Sequence, residues 1–132
     1  MATVTTKLTI NSSDLVSNTL SLSLSSKVAA SHTTGLARAP ITSIAKGTAA
    51  GQVTLYTAND FAATAYMYIK NTDISTTDYV YVYADSASDD PILLKLAGGD
   101  FAFLPMSADT TLKAYTATSG TIVEWMVFGT DA

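Results

Sequence analysis

The strongest pattern along the chain is a pair of alternating apolar and polar runs within residues 65–84. Residues 66–70 read Tyr-Met-Tyr-Ile-Lys, and residues 79–83 read Tyr-Val-Tyr-Val-Tyr. A period of two places successive side chains on opposite faces of a strand. We therefore predict that this stretch forms one β-hairpin, with the polar residues 71–78 as its loop.

The two faces of the predicted hairpin differ in chemistry. The face assigned to the core carries four apolar side chains, Met67, Ile69, Val80 and Val82. The opposite face carries five of the seven tyrosines, Tyr66, Tyr68, Tyr79, Tyr81 and Tyr83. Because tyrosine is enriched in protein interfaces, we interpret this face as a surface that contacts another subunit or the chain's own N-terminal segment. Partial exposure to solvent and stacking on sugar rings are the alternatives.

A second alternating run is Leu-Ser-Leu-Ser-Leu-Ser over residues 20–25, after a predicted strand over residues 3–10. Its apolar face consists of Leu20, Leu22 and Leu24, and such a face has to be buried against another surface. Two partners fit. We favour the chain's own sandwich; the alternative is a neighbouring subunit, which residues 1–31 would reach as an N-terminal arm.

The remaining apolar runs are short and regularly spaced. They predict strands over residues 41–44, 52–57, 92–96, 101–104, 111–116 and 121–129. Pro105 is expected to end the strand over residues 101–104, and Ser119 with Gly120 to join the last two strands as a hairpin. Strands at roughly 8–12-residue spacing are typical of antiparallel sandwiches. We predict a single domain over residues 1–132, an all-β, jelly-roll-like sandwich of about eight to ten strands.

Composition narrows the classes of function. The 132 residues have a net charge of −4, only 14% charged residues and no cysteine. The absence of cysteine excludes a disulfide framework and a thiolate metal site. With one arginine and a negative charge, the chain is not expected to bind nucleic acid, because phosphate contacts need clustered basic residues. No apolar run approaches the ~20 residues of a membrane span, and no signal-peptide pattern opens the sequence.

Few residues offer catalytic chemistry. His32 is the only histidine, and no nucleophile-elbow pattern accompanies it, so we predict a surface or interface residue. Glu124 is a candidate for one of the two carboxylates that glycoside hydrolysis requires, although a solvent-facing or interface position is favoured. We assign no catalytic residue.

Metal and phosphate sites are also weakly indicated. Four aspartates, Asp85, Asp89, Asp90 and Asp100, could gather oxygen ligands for Ca²⁺. Their spacing matches no EF-hand loop, so we favour a solvated acidic loop. Gly98 and Gly99 are interpreted as a hairpin turn, since no P-loop lysine follows them. We therefore assign no metal ligand and no cofactor.

Several motifs together resemble a known family. They are residues 66–72 (YMYIKNT), 79–82 (YVYV), 94–105 (LKLAGGDFAFLP) and 121–129, together with the two N-terminal runs. They are similar to small virion structural proteins of tailed bacteriophages, including marine and cyanobacterial phages. These motifs are packing and turn motifs, and the family has no catalytic residue to carry over.

The resemblance implies a non-enzymatic accessory component of the virion, assembled in the host cytoplasm. A capsid cement or decoration protein is the first expectation. A tail or vertex protein that acts as a carbohydrate- or receptor-binding module is the alternative. Such proteins are often trimeric β-sandwiches, so the expected partners are further copies of the chain and the major capsid protein or other virion subunits, without membrane or nucleic acid.

Overall fold

A computed structural model describes residues 1–15, 17–47, 50–85 and 90–132. This part of the chain contains eleven β-strands and no helix. The strands are β1 (Ala2–Ser12), β2 (Leu20–Ala30), β3 (His32–Thr33), β4 (Ala37–Ile41), β5 (Val53–Tyr56), β6 (Phe61–Asn71), β7 (Val80–Asp85), β8 (Ile92–Leu96), β9 (Phe101–Ser107), β10 (Thr111–Thr116) and β11 (Thr121–Asp131).

Two antiparallel sheets form the body of the molecule. Sheet I has the order β4-β11-β6-β9, with the short β3 also paired to β11, and sheet II has the order β5-β10-β7-β8. When the eight consecutive strands from β4 to β11 are renumbered 1 to 8, the strand orders of sheets I and II become 1-8-3-6 and 2-7-4-5. This is the jelly-roll arrangement. The predicted all-β, jelly-roll-like sandwich is confirmed. The strand count exceeds eight because β1, β2 and β3 lie outside this framework.

The core lies between the inner faces of the two sheets. Met67 and Ile69 of β6 point into it from sheet I, and Val80 and Val82 of β7 point into it from sheet II; all four are fully buried. The predicted core face is therefore confirmed. Trp125 of β11 also links the sheets, since its Nε1 donates a hydrogen bond to the Leu55 carbonyl of β5 over 3.2 Å.

The predicted hairpin over residues 65–84 is wrong. β6 pairs with β11 and β9, whereas β7 pairs with β10 and β8, so residues 72–79 cross from one sheet to the other. The predicted hairpin at Ser119 and Gly120 is wrong for the same reason, because β10 and β11 lie in different sheets. Alternation shows which side of a strand faces the core, but two strands on opposite sides of one core give the same pattern as two neighbours.

The side chain of Asn71 fastens the crossing between the sheets. It is fully buried at the end of β6. Its Nδ2 donates to the carbonyls of Asp78, over 2.6 Å, and Leu96, over 3.0 Å. Its Oδ1 accepts a hydrogen bond from the amide of Asp73 over 3.1 Å. One amide side chain thus joins a strand of sheet I, the crossing segment and β8 of sheet II.

Two strands contain a proline, and their bounds differ from the predicted ones. β9 continues through Pro105, which pairs with Tyr66, so the predicted end at this proline is wrong. Pro105 is tolerated because β9 is an edge strand, where a missing backbone donor breaks no ladder bond. Pro40 lies inside β4, also an edge strand, and the strand predicted over residues 41–44 is found at Ala37–Ile41.

β1 and β2 form a separate two-stranded ribbon. They pair along their whole length, from Ala2 opposite Ala30 to Ser12 opposite Leu20, and neither pairs with another described strand. The amide of Ser31, just after β2, donates to the Gly129 carbonyl of β11 over 2.9 Å and so attaches the base of the ribbon to sheet I.

The register gives the ribbon one apolar face. Large apolar side chains meet across it, Leu8 opposite Leu24 and Ile10 opposite Leu22, while serines, threonines and lysines cover the other face. Leu22 and Leu24 remain 39% and 54% exposed. The favoured expectation, that the leucine face is buried on the chain's own sandwich, is therefore wrong for these two leucines.

Gly98, before β9, provides a test of the sheet crossing. Its φ is not in the left-handed region. On backbone conformation alone, an alanine would therefore stabilise the fold by about 0.4–1 kcal/mol, because it lowers the conformational entropy of the unfolded chain. Steric contact reverses this expectation. A Cβ there would lie 2.2 Å from the Ser75 carbonyl oxygen of the crossing segment. We therefore expect Gly98→Ala to destabilise by about 1–3 kcal/mol in urea unfolding. An unchanged or higher stability would contradict this packing.

Candidate functional site

The five tyrosines predicted on one face occupy two opposite surfaces. Tyr66 and Tyr68 belong to β6 and lie on the outer face of sheet I. Tyr81 and Tyr83 of β7, with Tyr79 just before it, lie on the outer face of sheet II. The prediction of a single tyrosine face is wrong because β6 and β7 are not neighbours. The structure therefore offers two candidate surfaces.

The first surface is a groove between the ribbon and the outer face of sheet I, which we call the ribbon groove. Its volume is about 560 Å³. Its side chains are mainly apolar: Val4, Leu8 and Leu24 on the ribbon, and Tyr68, Phe101, Phe103, Met126 and Phe128 on the sheet. The rings of Tyr66 and Phe103 stack on Phe128, with centroid distances of 5.7 and 6.1 Å. Phe101 and Phe103 are 65% and 40% exposed, so the wall on sheet I is open.

A charged network lies beside this groove. Glu124 Oε2 accepts a hydrogen bond from Arg38 Nε over 2.5 Å, and Oε1 accepts one from the Tyr68 hydroxyl over 2.8 Å. Of the two positions favoured for Glu124, the solvent-facing one is wrong, because the residue is only 9% exposed beneath these partners. An interface position stays a prediction. The hydrogen bonds from Tyr68 and then Arg38 lower the pKa of Glu124. Burial, followed by the bond to Glu124, raises the pKa of Tyr68 to about 12. Glu124 is thus held as a carboxylate that positions Tyr68.

This network predicts a specific response to acid. Because the pKa of Glu124 is lower in the folded state than its ordinary value of 4.5, its contribution to stability is present above that value. The contribution is lost as the pH falls through the folded-state pKa. As the pH is lowered below 4.5, the free energy of unfolding of Glu124→Gln should fall less than that of the wild type. Urea unfolding at successive pH values measures both. Tyr68→Phe, which keeps Arg38, should fall between them; identical pH profiles for all three would contradict the network.

The second surface is a tyrosine patch on the outer face of sheet II, formed by Tyr79, Tyr81 and Tyr115. Tyr81 and Tyr115 stack with centroids 4.9 Å apart, and Tyr79 lies 6.2 Å from Tyr81. Lys95 Nζ lies 4.1 Å from the centroid of the Tyr79 ring, a cation–π contact. Tyr115 was not among the tyrosines predicted for an interface. Its signal was the alternation within residues 111–116, which places it opposite the buried Leu112 and Ala114.

Tyr83 belongs to the same face but is fully buried. Its hydroxyl donates to Gln52 Oε1 over 2.5 Å and accepts from the Gly47 amide over 3.4 Å. Both partners lie in the connection between β4 and β5. In this chain, Tyr83 is therefore a packing residue rather than part of the open patch.

The other candidate residues are engaged in local structure. The His32 ring lies 5.0 Å from that of Phe61, and its Nδ1 is 3.9 Å from a carboxylate oxygen of Asp131. Gly98 and Gly99 form a tight turn, closed by the Asp100 amide on the Ala97 carbonyl, but it joins two sheets and is not a hairpin.

The candidate calcium ligands do not gather in the described residues. Asp85 pairs with Lys113 at 2.7 Å, and an oxygen of Asp100 accepts the Ala97 amide at 3.0 Å. Asp89 lies outside the described residues. Within the described ranges, no group of three or more histidine, cysteine or acidic residues is placed to hold a metal ion.

In the part of the chain that the structure covers, no helix is long and apolar enough to cross a membrane. Comparison of the chain with protein-family models, with curated proteins and with solved structures finds no match.

Proposed function

We propose that the chain is a non-enzymatic structural protein of a bacteriophage virion, a cement or decoration protein that stabilises the capsid through subunit contacts. Jelly rolls are common in viral capsid domains, but a fold does not determine function. The proposal therefore depends on the ribbon, together with the resemblance of residues 66–72 and 94–105 to small virion proteins.

The partly exposed apolar face of the ribbon is the observation that carries the proposal. Each strand is eleven residues long, and one face presents large apolar side chains to solvent. An isolated two-stranded ribbon is only marginally stable in water, and contiguous exposed apolar surface marks sites of interaction. With only 14% charged residues, the chain has little charged surface to oppose such contacts.

The mechanism is adhesion by many weak contacts. A particle presents its subunits in a symmetric lattice. Once a copy of the chain has made one contact, its other binding surfaces are held near further subunits, which raises their effective concentration. The partners are the major capsid protein or other virion subunits, together with further copies of this chain, as in a trimer. The site of action is the virion, assembled in the host cytoplasm.

A binding experiment tests this function. Shells of the encoding phage, prepared without the chain, are mixed with the purified protein, and co-sedimentation and the temperature of shell disruption are measured. Wild type should sediment with the shells and raise that temperature. A variant with Leu20, Leu22 and Leu24 changed to serine should do neither, while the control with Ser21, Ser23 and Ser25 changed to threonine should match the wild type. A wild-type chain that neither binds nor stabilises shells would refute the proposal.

The tyrosine patch favours a second candidate, a carbohydrate- or receptor-binding module of a tail or vertex. Partly exposed aromatic rings are typical platforms for sugar rings. However, Tyr81 and Tyr115 stack on each other and Lys95 lies over Tyr79, so one ring face of each tyrosine is already covered. Glycan-array binding that Tyr81→Ala abolishes, with shell binding intact, would establish this candidate instead.

A further inference from the structure

We infer that β2 pairs antiparallel with β2 of a second copy of this chain, so that two ribbons join into one four-stranded sheet. The pairing uses the free edge of the ribbon and is centred on Leu24. The inference rests on the proposed function in counting further copies among the partners, and it names the edge through which two copies meet.

The outer edge of β2 is open to a further strand. β2 pairs with β1 on one side, and no other described strand pairs with it. Residues 21–27 are all exposed. Native proteins usually protect such an edge with a proline, a bulge or several charges. β2 contains no proline, its register with β1 is uninterrupted, and Lys27 is its only charged residue. This edge is therefore a template on which another strand can add.

The sequence of β2 is nearly palindromic in polarity about Leu24. This residue is the midpoint of residues 20–28, the part of β2 before the alanines at its base. In two-fold antiparallel pairing, each residue lies opposite the one that is equally far from the centre. The pairs between the two copies are Leu24 with Leu24, Leu20 with Val28, Ser23 with Ser25, Ser21 with Lys27, and Leu22 with Ser26. Only the last pair mixes an apolar with a polar residue, and no pair places like charges together.

The other edge of the ribbon suits the same pairing less well. The midpoint of β1 is Lys7, so two-fold pairing along the length of β1 would place two lysines opposite each other. Like charges in directly opposite positions destabilise a sheet. The centre of the exposed part of β2 carries a leucine instead. β2 is therefore the edge that fits a second copy.

A hollow beside the base of β2 provides space for the end of the partner ribbon. Its volume is about 430 Å³, and the described ribbon residues that line it are Lys27, Val28 and Ala29, all from β2. The body contributes mainly small side chains to the lining: Ala62, Ala63, Thr64 and Thr130, with Tyr66. Because Leu20 of the second copy lies opposite Val28, the residues that precede Leu20 enter this hollow.

Backbone hydrogen bonds supply most of the contact. Nine residues paired on each side, 20–28, exchange about eight to ten bonds in an antiparallel ladder. A typical protein interface contains about ten direct hydrogen bonds. A two-stranded ribbon is only marginally stable by itself, whereas three or more strands with an apolar face are stable. Joining two ribbons gives four strands, so the pairing stabilises each ribbon as well as the pair.

Disulfide formation by single-cysteine variants tests the register. The chain has no cysteine of its own. In the pair, Leu24→Cys places two thiols directly opposite each other, with Cβ atoms about 4.5–5.5 Å apart. This variant should form a covalent dimer under mild oxidation.

Leu8→Cys is the matched control for this experiment. Leu8 lies opposite Leu24 within the ribbon, and the two are 45% and 54% exposed. In the four-stranded sheet, the two copies of Leu8 are three strand spacings apart, about 14 Å, too far for a disulfide. Leu24→Cys should therefore give about tenfold more covalent dimer than Leu8→Cys, because pairing raises the effective concentration of its thiol. Equal yields would overturn the inference.

Charge variants test the same register without a covalent bond. Because position 23 lies opposite position 25 of the second copy, Ser23→Asp combined with Ser25→Asp creates two pairs of facing carboxylates. Ser23→Lys combined with Ser25→Asp differs at one residue only and creates two pairs of opposite charge. The dissociation constant of the first variant should be at least about tenfold higher than that of the second. Equal constants would contradict the pairing.

Native mass measurement without shells separates this inference from the proposed function. At micromolar concentration, the wild type and the variant with opposite charges should have twice the mass of the variant with facing carboxylates. A wild type that is monomeric but still binds shells would overturn the inference and leave the proposed function standing. A wild type that forms the pair but binds no shell would refute the function and leave the inference standing.

Discussion

Asn71→Ala is expected to lower the free energy of unfolding by about 3–5 kcal/mol. The substitution leaves three backbone groups without their partner: the buried carbonyl of Leu96, and the part-buried carbonyl of Asp78 and amide of Asp73. Each unsatisfied buried group costs about 1–3 kcal/mol, partly relieved where water enters. At about 4 °C per kcal/mol for a chain of this size, the melting temperature should fall by about 12–20 °C.

The size of this effect follows from the position of Asn71 in the fold. Its backbone amide donates to the Asp100 carbonyl, and its carbonyl accepts from the Gly99 amide, each over 3.0 Å. The residue thus joins the crossing after β6 to the turn between β8 and β9. Both connections pass from one sheet to the other, so loosening one joint weakens the packing of both sheets.

Matched variants separate this role from a general loss of polarity. Asn18→Ala changes the same residue type at an exposed position of the ribbon turn and should leave the melting temperature within about 1–2 °C of the wild type. Asn71→Asp keeps an acceptor for the Asp73 amide but places a carboxylate against two carbonyls, so it should be at least as damaging as alanine. A small effect of Asn71→Ala, comparable to that of Asn18→Ala, would contradict the buried network.

Local alternation predicted the inner faces correctly, because burial on one side is a property of a single strand. Met67, Ile69, Val80 and Val82 are all fully buried, as the period of two requires. The neighbours of each strand were not predictable in this way. An eight-residue connection between two amphipathic strands is compatible with a hairpin and with a crossing, and the buried Asn71 that stabilises the crossing lies in a polar stretch resembling any turn.

The candidate surfaces were predictable only in part, because exposure depends on residues distant in the sequence. Tyr81 and Tyr83 have the same alternation, yet only Tyr83 is covered, by Gly47 and Gln52. Glu124 looked solvent-facing, but Arg38 lies opposite it across the β4–β11 pair. The leucine face of β2 was recognised, whereas its open position depends on β1 and β2 pairing with each other alone.

Tyr83→Ala is expected to cost about 3–5 kcal/mol, whereas Tyr81→Ala, two residues earlier on the same face, should cost about 1–2 kcal/mol. Tyr83 is fully buried, and its removal leaves a cavity and releases the partners of its hydroxyl. Tyr81 is only half-buried and loses mainly its stacking on Tyr115, 4.9 Å away. Urea unfolding of both variants, with Tyr83→Phe to isolate the hydroxyl, measures the difference.

The difference in burial between Tyr81 and Tyr83 also determines which variant can test binding by the outer face of sheet II. If Tyr83→Ala unfolds the sandwich while Tyr81→Ala does not, a loss of shell or glycan binding can be assigned to a surface contact only for Tyr81. Tyr83→Phe should cost about 1 kcal/mol, since the ring stays packed and only the bonds to Gln52 and Gly47 are lost. Equal costs for the two alanine variants would mean that Tyr81 is as deeply packed as Tyr83, and the tyrosine patch would then be part of the fold rather than a binding surface.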